Sequence, residues 1–162
     1  MANLEEVFKR SGVPTYTFVQ PVNYTDLKVS IRTPGRCCVV EGPSGVGKTS
    51  SLTKILQELD LDKKAVTLSG RKPSDRDFIE QLHTMGDLGI VIIDDFHRLP
   101  NDLKQRIADF MKVLADEGRE ESKLVLLGIN KAGDHLVTFG HDLGLRIDVF
   151  RLEAKAATQK LH

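Results

Sequence analysis

The sequence has no excess of either charge and no long apolar run. Lysine plus arginine and aspartate plus glutamate each number 23 among 162 residues. The chain therefore lacks the overall positive field on which sequence-independent nucleic-acid binding depends. Equal totals of the two charges do not exclude a local basic patch. No apolar stretch approaches the ~20 residues that span a bilayer, and the N-terminus lacks the basic-then-apolar order of a signal peptide. These absences predict a cytoplasmic protein without a membrane partner.

Cysteine is also scarce, since only Cys37 and Cys38 are present. They are adjacent on a predicted strand, where successive side chains point to opposite faces of the sheet. That geometry disfavours a mutual disulfide or a shared metal site. We interpret both thiols as small core residues.

The 162 residues, 40% of them hydrophobic and 28% charged, have the length and composition of one globular domain. We predict a lead-in over residues 1–35 and a core over residues 36–162. In the core, apolar strands alternate with helical segments, which favours right-handed crossovers and a central, mainly parallel five-stranded sheet. The predicted α/β fold is a three-layer αβα P-loop NTPase fold. Its strands are Cys37–Val40, Ala65–Leu68, Gly89–Ile93, Lys123–Leu127 and Val149–Leu152.

The run Gly89–Ile93 is the most hydrophobic, and we expect it to form the centre of the sheet. Capping residues predict where the helices begin. Asn23 or Thr25 can cap the first helix, Ser74 has capping-box spacing to Asp77, and Asn101 can cap a later helix.

The motif with the clearest mechanism runs from Gly42 to Thr49 and matches the P-loop pattern G-x-x-x-x-G-K-[ST]. Its glycines let backbone N–H groups point at phosphate oxygens, and the helix that follows adds the positive end of its dipole. Lys48 is expected to reach the terminal phosphates, and the Thr49 hydroxyl to ligate Mg²⁺. The predicted nucleotide-binding residues of this stretch are Gly42, Pro43, Ser44, Gly45, Val46, Gly47, Lys48, Thr49 and Ser50.

Two carboxylates, Asp94 and Asp95, follow the apolar strand, and in parallel sheets ligands gather at that edge. Asp94 is expected to hold the hydration shell of Mg²⁺, and Asp95 to orient or deprotonate the attacking water. The alternative is that one of them caps a loop. The next buried strand runs on to Asn130, which could hydrogen-bond the terminal phosphate or the water, or could be an ordinary turn residue.

The segments GPSGVGKT, IVIIDDFHRL, LVLLGIN and DLGLRIDVFRLE, in this order, resemble the nucleotide-binding core of AAA+ ATPases and, more narrowly, of the related STAND group. The resemblance covers about Phe18–Glu153 and implies ATP or ADP with Mg²⁺ as cofactors. It implies Walker A, Walker B and sensor-1 roles for the residues above. Arg146 falls near the position of an arginine finger that reaches a neighbouring subunit's nucleotide, an ordinary surface arginine being the alternative.

The lead-in around Phe18 and Val19 resembles the segment that lines the adenine site in these families, although Gln20-Pro21 stands where many members have Gly-Arg. Asp95 replaces the glutamate of strong hydrolases, which favours slow turnover and a regulatory role. After Glu153 only a short tail follows, whereas the family continues into a helical lid. We therefore expect an excised core with weakened nucleotide closure and poor assembly in isolation.

The leading hypothesis is an ATP-driven switch within a larger regulatory or signalling ATPase, whose partners are its own other domains and further copies of the parent protein. The alternative is a DNA-handling ATPase of the initiator or transposition-helper type. The basic residues that would then contact phosphates, or else form a solvated loop, are Lys63, Lys64, Arg71, Lys72 and Arg76. A small-molecule or nucleotide kinase is disfavoured because no arginine-rich lid or acceptor-binding insertion is obvious.

Overall fold

Five strands form one sheet in the computed structural model, which describes residues 23–43, 47–129 and 147–152. In chain order they are β1 (Cys37–Glu41), β2 (Ala65–Ser69), β3 (Gly89–Asp94), β4 (Ser122–Gly128) and β5 (Ile147–Arg151). Their order across the sheet is β2-β3-β4-β1-β5, and all four neighbouring pairs are parallel. The predicted five-stranded parallel sheet is confirmed.

The centre of the sheet is β4 and not β3, so that part of the prediction is wrong. Strand β4 lies between β3 and β1 and is buried over its whole length, whereas β3 begins with an exposed residue and neighbours the edge strand β2. Both runs are strongly apolar. Apolar content alone does not distinguish the middle strand from the strand next to it.

Helices cover both faces of the sheet and complete the three layers. On one face lie α1 (Tyr24–Arg32) and α2 (Lys48–Glu58), and on the other lie α3 (Pro73–Glu80) and α4 (Asn101–Asp116). Short 3-10 turns follow α3 and β3, at Leu82–Thr84 and Phe96–Arg98. Among the described residues no helix is long and apolar enough to cross a bilayer.

The alternation along β1 separates the two cores. Cys37 and Val39 pack into the cluster beneath α3 and α4, while Cys38 and Val40 pack into the cluster beneath α1 and α2. Both cysteines are free and buried, and burial raises the pKa of the Cys38 thiol to about 12. Their prediction as core residues on opposite faces is confirmed.

The helices begin differently from the predicted caps. Helix α3 begins at Pro73, whose fixed φ suits the first helical position, so Ser74 lies inside the first turn. Helix α4 has Pro100 at its N-cap position, and Asn101 is its first helical residue. Asn23 does occupy the N-cap position of α1, but its side chain donates to the Arg151 carbonyl oxygen at 2.7 Å instead of capping.

A polar cluster fixes the amino-terminal edge of the sheet, opposite the P-loop edge. Lys123 is 5% exposed, and its ammonium donates to the carbonyl oxygens of Ser30 and Thr33 at the end of α1 and to that of Arg36 just before β1. Burial lowers the pKa of Lys123. Burial alone would raise the pKa of Asp148, but hydrogen bonds from the Arg36 guanidinium and the Ser30 hydroxyl outweigh it and hold that pKa below its ordinary value.

Candidate nucleotide-binding site

The carboxyl ends of the strands open onto a cavity of about 300 Å³. Six of the predicted site residues line this cavity: Gly47, Lys48, Thr49, Ser50, Asp94 and Asp95. Four more were not predicted there: Arg71, His97, Gly128 and Ile129. The structure thus brings the described end of the P-loop and the acid pair to the same cavity.

The P-loop leads from β1 into α2 through Gly47, whose φ of 92° is a conformation that favours glycine. Lys48 begins α2, and its ammonium donates to the carbonyl oxygens of Gly42 at 2.8 Å and of Pro43 at 3.1 Å. Burial lowers the pKa of Lys48, and the nearby Asp94 and Asp95 carboxylates oppose that shift. The lysine is therefore held over the loop, facing the acid pair.

Asp94 and Asp95, the acid pair, lie at the carboxyl end of β3, and the turn after β2 contacts them. The backbone N–H of Asp95 donates to Asp94 Oδ1 at 2.8 Å, and Asp95 itself has a φ of 54°. Asp95 Oδ2 lies 3.2 Å from Nε of Arg71, which follows the end of β2. In this arrangement the second carboxylate forms an ion pair at the cavity wall.

Gly70 allows that ion pair to form. Its N–H donates to the Asp94 carbonyl oxygen at 2.8 Å. A Cβ added at Gly70 would lie 2.4 Å from the Asp95 carbonyl oxygen. Only glycine therefore lets the turn after β2 approach the acid pair closely enough to place Arg71 beside Asp95.

His97 links β3 to β4. It belongs to the 3-10 turn Phe96–Arg98, and its Nδ1 accepts a hydrogen bond from the Ile129 N–H at 3.3 Å. No local sequence pattern predicts this contact, because the two residues are 32 positions apart. The contact places His97 at the cavity, beside the acid pair.

The predicted basic patch is divided by the fold. Lys63 and Lys64 precede β2 and so lie at the opposite edge of the sheet from Arg71 and Lys72, which follow it. Arg76 donates to the carbonyl oxygen of Gly70 at 2.6 Å and to that of Arg98 at 3.3 Å. The five basic residues do not form one surface.

Several predicted site residues lie outside the described part of the chain, and their roles stay predictions. They are Phe18, Val19, Ser44, Gly45, Val46, Asn130 and Arg146.

Comparisons with known proteins agree with this architecture. A family model described as RNA helicase matches residues 38–117. A single-residue variant of RuvB from Thermotoga maritima superposes with a TM-score of 0.55 at 19% identity, covering 84% of this chain and 46% of RuvB. Orc1 from Aeropyrum pernix, solved with DNA, gives 0.51 at 14% identity, with 84% and 47% of the two chains covered.

Domain III of the replication initiation protein DnaA from T. maritima gives a TM-score of 0.50 at 18% identity, covering 85% of this chain and 65% of that domain. The chain has the fold of the AAA+ ATPase core. It spans about half the length of the RuvB and Orc1 chains. No curated protein matches it.

Proposed function

We propose that this chain is the ATP-binding and slowly hydrolysing core of a larger regulatory or signalling ATPase, which switches or oligomerises with its nucleotide. One observation carries the proposal. Lys48 and Thr49 of the P-loop line the same cavity as Asp94 and Asp95. A phosphate-binding loop opposite a carboxylate pair is the arrangement that phosphoryl transfer to water requires.

The donor set at the cavity suits Mg²⁺. A hydroxyl on Thr49 and a carboxylate on Asp94 are the hard oxygen ligands that Mg²⁺ prefers alongside phosphate oxygens. When bound, the metal would neutralise charge that develops on the phosphates. Lys48 would then exchange its loop carbonyl partners for phosphate oxygens, and Asp95 would orient the water.

The Arg71 ion pair supports slow hydrolysis. Arg71 Nε lies 3.2 Å from Asp95 Oδ2, so the guanidinium competes with the attacking water for that carboxylate oxygen. Asp95 is also one methylene shorter than the glutamate of strong hydrolases, so its reach towards a water is smaller. Both features restrain the proposed base, as a nucleotide switch with long-lived ATP requires.

The rest of the proposed site lies outside the described residues. Phe18 and Val19 would contact adenine, Asn130 would hydrogen-bond the terminal phosphate, and Arg146 would reach a neighbouring subunit's nucleotide. Self-association and contacts with other domains of a longer protein belong to the same proposal.

Two structural neighbours act on DNA or were solved with it, which supports the DNA-handling alternative. RuvB is described as a Holliday junction branch migration motor, and Orc1 was solved in complex with DNA. The predicted basic residues lie at opposite ends of β2, so they do not form the single positive surface that DNA binding would need. Duplex DNA affinity that falls steeply with salt, and falls further in a Lys63→Ala/Lys64→Ala variant, would favour this alternative.

The test of the leading proposal compares Asp94→Asn, Asp95→Asn and a control, Asp109→Asn, which changes an exposed carboxylate on α4. Asp95→Asn is expected to bind Mg-ATP normally while hydrolysis falls by a factor of ~10² or more. Asp94→Asn is expected to lose the Mg²⁺-dependent part of ATP binding. Hydrolysis in Asp95→Asn equal to that in Asp109→Asn would remove Asp95 from the mechanism.

A further inference from the structure

Two turns meet at the acid pair, one after β2 and one after β3. The first carries Gly70 and Arg71. The second is the 3-10 turn Phe96–Arg98, which follows Asp95 directly, and in it the Arg98 N–H donates to the Asp95 carbonyl oxygen at 2.9 Å. The ion pair between Arg71 and Asp95 therefore joins side chains that belong to two different turns.

The guanidinium of Arg76 bridges these two turns. Its Nε donates to the carbonyl oxygen of Gly70 at 2.6 Å, and its Nη2 donates to the carbonyl oxygen of Arg98 at 3.3 Å. Gly70 immediately precedes Arg71, and the turn that contains Arg98 begins next to Asp95. Because a guanidinium is planar and its donors are fixed relative to one another, the two bonds set the separation of the turns.

Helix α3 holds Arg76 in place for this contact. Ile79 of the helix is 1% exposed and packs into the core cluster beneath α3 and α4. The Asp75 carboxylate accepts the Ser69 N–H at 2.9 Å, which ties the first turn of the helix to the end of β2. The Arg76 side chain therefore extends from an anchored helix and not from a loose loop.

The Arg71 ion pair depends on such support. The Arg71 side chain is 58% exposed, and an exposed ion pair by itself holds two side chains together only weakly. Pairing also restricts a side chain with many rotamers. How often the pair forms therefore depends on how closely the backbone presents Arg71 to Asp95. That backbone is held through Gly70, whose N–H donates to the Asp94 carbonyl oxygen and whose own carbonyl oxygen accepts from Arg76.

We propose that Arg76 is a positioning residue, which holds the turn after β2 against the turn after β3 so that Arg71 stays paired with Asp95 and restrains ATP hydrolysis. The inference rests on the proposed function and concerns the regulation of that same site. Arg76 does not line the cavity. Its loss therefore leaves nucleotide affinity unchanged and raises the hydrolysis rate, because Arg71 releases Asp95 more often.

The experiment measures single-turnover hydrolysis of Mg-ATP by the whole chain, together with the Kd of Mg-ADP. Arg76→Ala is expected to hydrolyse about 2–5-fold faster, while its ADP affinity stays within about twofold. Arg106→Ala is the matched control, because this arginine of α4 pairs with Glu80 and Asp102, and its rate should not change. General damage to the site would slow hydrolysis, so an unchanged or lower rate in Arg76→Ala would overturn the proposal.

A double-mutant cycle with Arg71→Ala identifies the route. If Arg76 acts through Arg71, the double variant hydrolyses ATP no faster than Arg71→Ala alone. Rate increases that multiply in the double variant would show that Arg76 acts on something else, and the proposal would be wrong. Should Arg76→Ala fail to fold in a thermal melt, Arg76→Lys decides. Lysine has one ammonium and cannot hold both carbonyl oxygens in the geometry of the guanidinium, so its rate should rise about twofold, and a rate equal to that of the unchanged chain refutes the positioning role.

Asp95→Asn separates this inference from the proposed function. If Asp95→Asn hydrolyses ATP as fast as the Asp109→Asn control, the proposed hydrolytic site is wrong, and with it the role of Arg76. If Asp95→Asn loses hydrolysis and Arg71→Ala gains it, while both Arg76 variants keep the rate of the unchanged chain, the proposed function stands and only the positioning role fails.

Discussion

Replacing Gly70 with alanine tests how closely the turn after β2 must lie against the acid pair. The added Cβ would lie 2.4 Å from the carbonyl oxygen of Asp95 and 3.2 Å from its carbonyl carbon. Carbon and oxygen atoms rarely approach closer than ~3.3 Å, so one backbone must move by roughly 1 Å. Both atoms belong to backbone, which cannot move aside as a flexible side chain can.

The expected magnitude combines two opposing effects. Overpacking of this kind costs about 1–3 kcal/mol of folding free energy. Replacing a glycine by alanine also makes the unfolded chain less flexible, which returns about 0.4–1 kcal/mol. Because any Gly→Ala change at a compatible site shares the second effect, Gly70→Ala is expected to be less stable than a Gly→Ala variant at an open position by about 1–3 kcal/mol. ATP hydrolysis should fall as well, because the displaced backbone is that of Asp95.

Gly86→Ala is the matched control, since a Cβ there meets nothing within 4 Å. It should leave the unfolding free energy unchanged or raise it slightly. Urea unfolding followed by far-UV circular dichroism suits the measurement, because the chain has no tryptophan. Equal stability of the Gly70→Ala and Gly86→Ala variants would refute the close approach of β2 to the acid pair.

Three further predictions concern the buried polar cluster and the Arg71 ion pair. Lys123→Met should lower the unfolding free energy by about 2–3 kcal/mol, because three carbonyls between the end of α1 and the start of β1 lose their donor, whereas Lys64→Met, at an exposed position, should change it little. The lowered pKa of Asp148 contributes stability above its ordinary value of 3.8, which is lost as the pH falls through the folded-state pKa. Asp148→Asn should therefore be less stable near neutral pH and show a shallower loss below about pH 4 in acid titrations. Arg71→Ala should raise the single-turnover hydrolysis rate several-fold by releasing Asp95, and an unchanged or lower rate would remove Arg71 as a restraint.

The elements that could be predicted from the sequence are those whose signals are local. The P-loop pattern, the strand before it and the helix after it are contiguous, and α2 begins at Lys48 as expected. All five predicted strands exist, with boundaries that differ by at most two residues at the described ends. Asp94 and Asp95 line the cavity because a parallel sheet brings the carboxyl ends of its strands to one edge.

What could not be predicted depends on contacts between distant residues. The strand order places β4 at the centre, and nothing in the two apolar runs ranks one above the other. Arg71 was grouped with its basic neighbours in sequence, whereas the fold pairs it with Asp95, 24 positions later. His97 has no motif of its own, and its partner Ile129 becomes a neighbour only when β3 and β4 pair.

The most direct test of the nucleotide site is a titration of the chain with Mg-ATP in three forms: unchanged, Lys48→Ala and Lys54→Ala. Both lysines lie on α2, but only Lys48 lines the cavity, while Lys54 lies 3.7 Å from Glu58 on the helix surface. We predict that Lys48→Ala weakens binding at least about tenfold and that Lys54→Ala leaves it unchanged. Equal affinity in all three forms would contradict the assignment of the site.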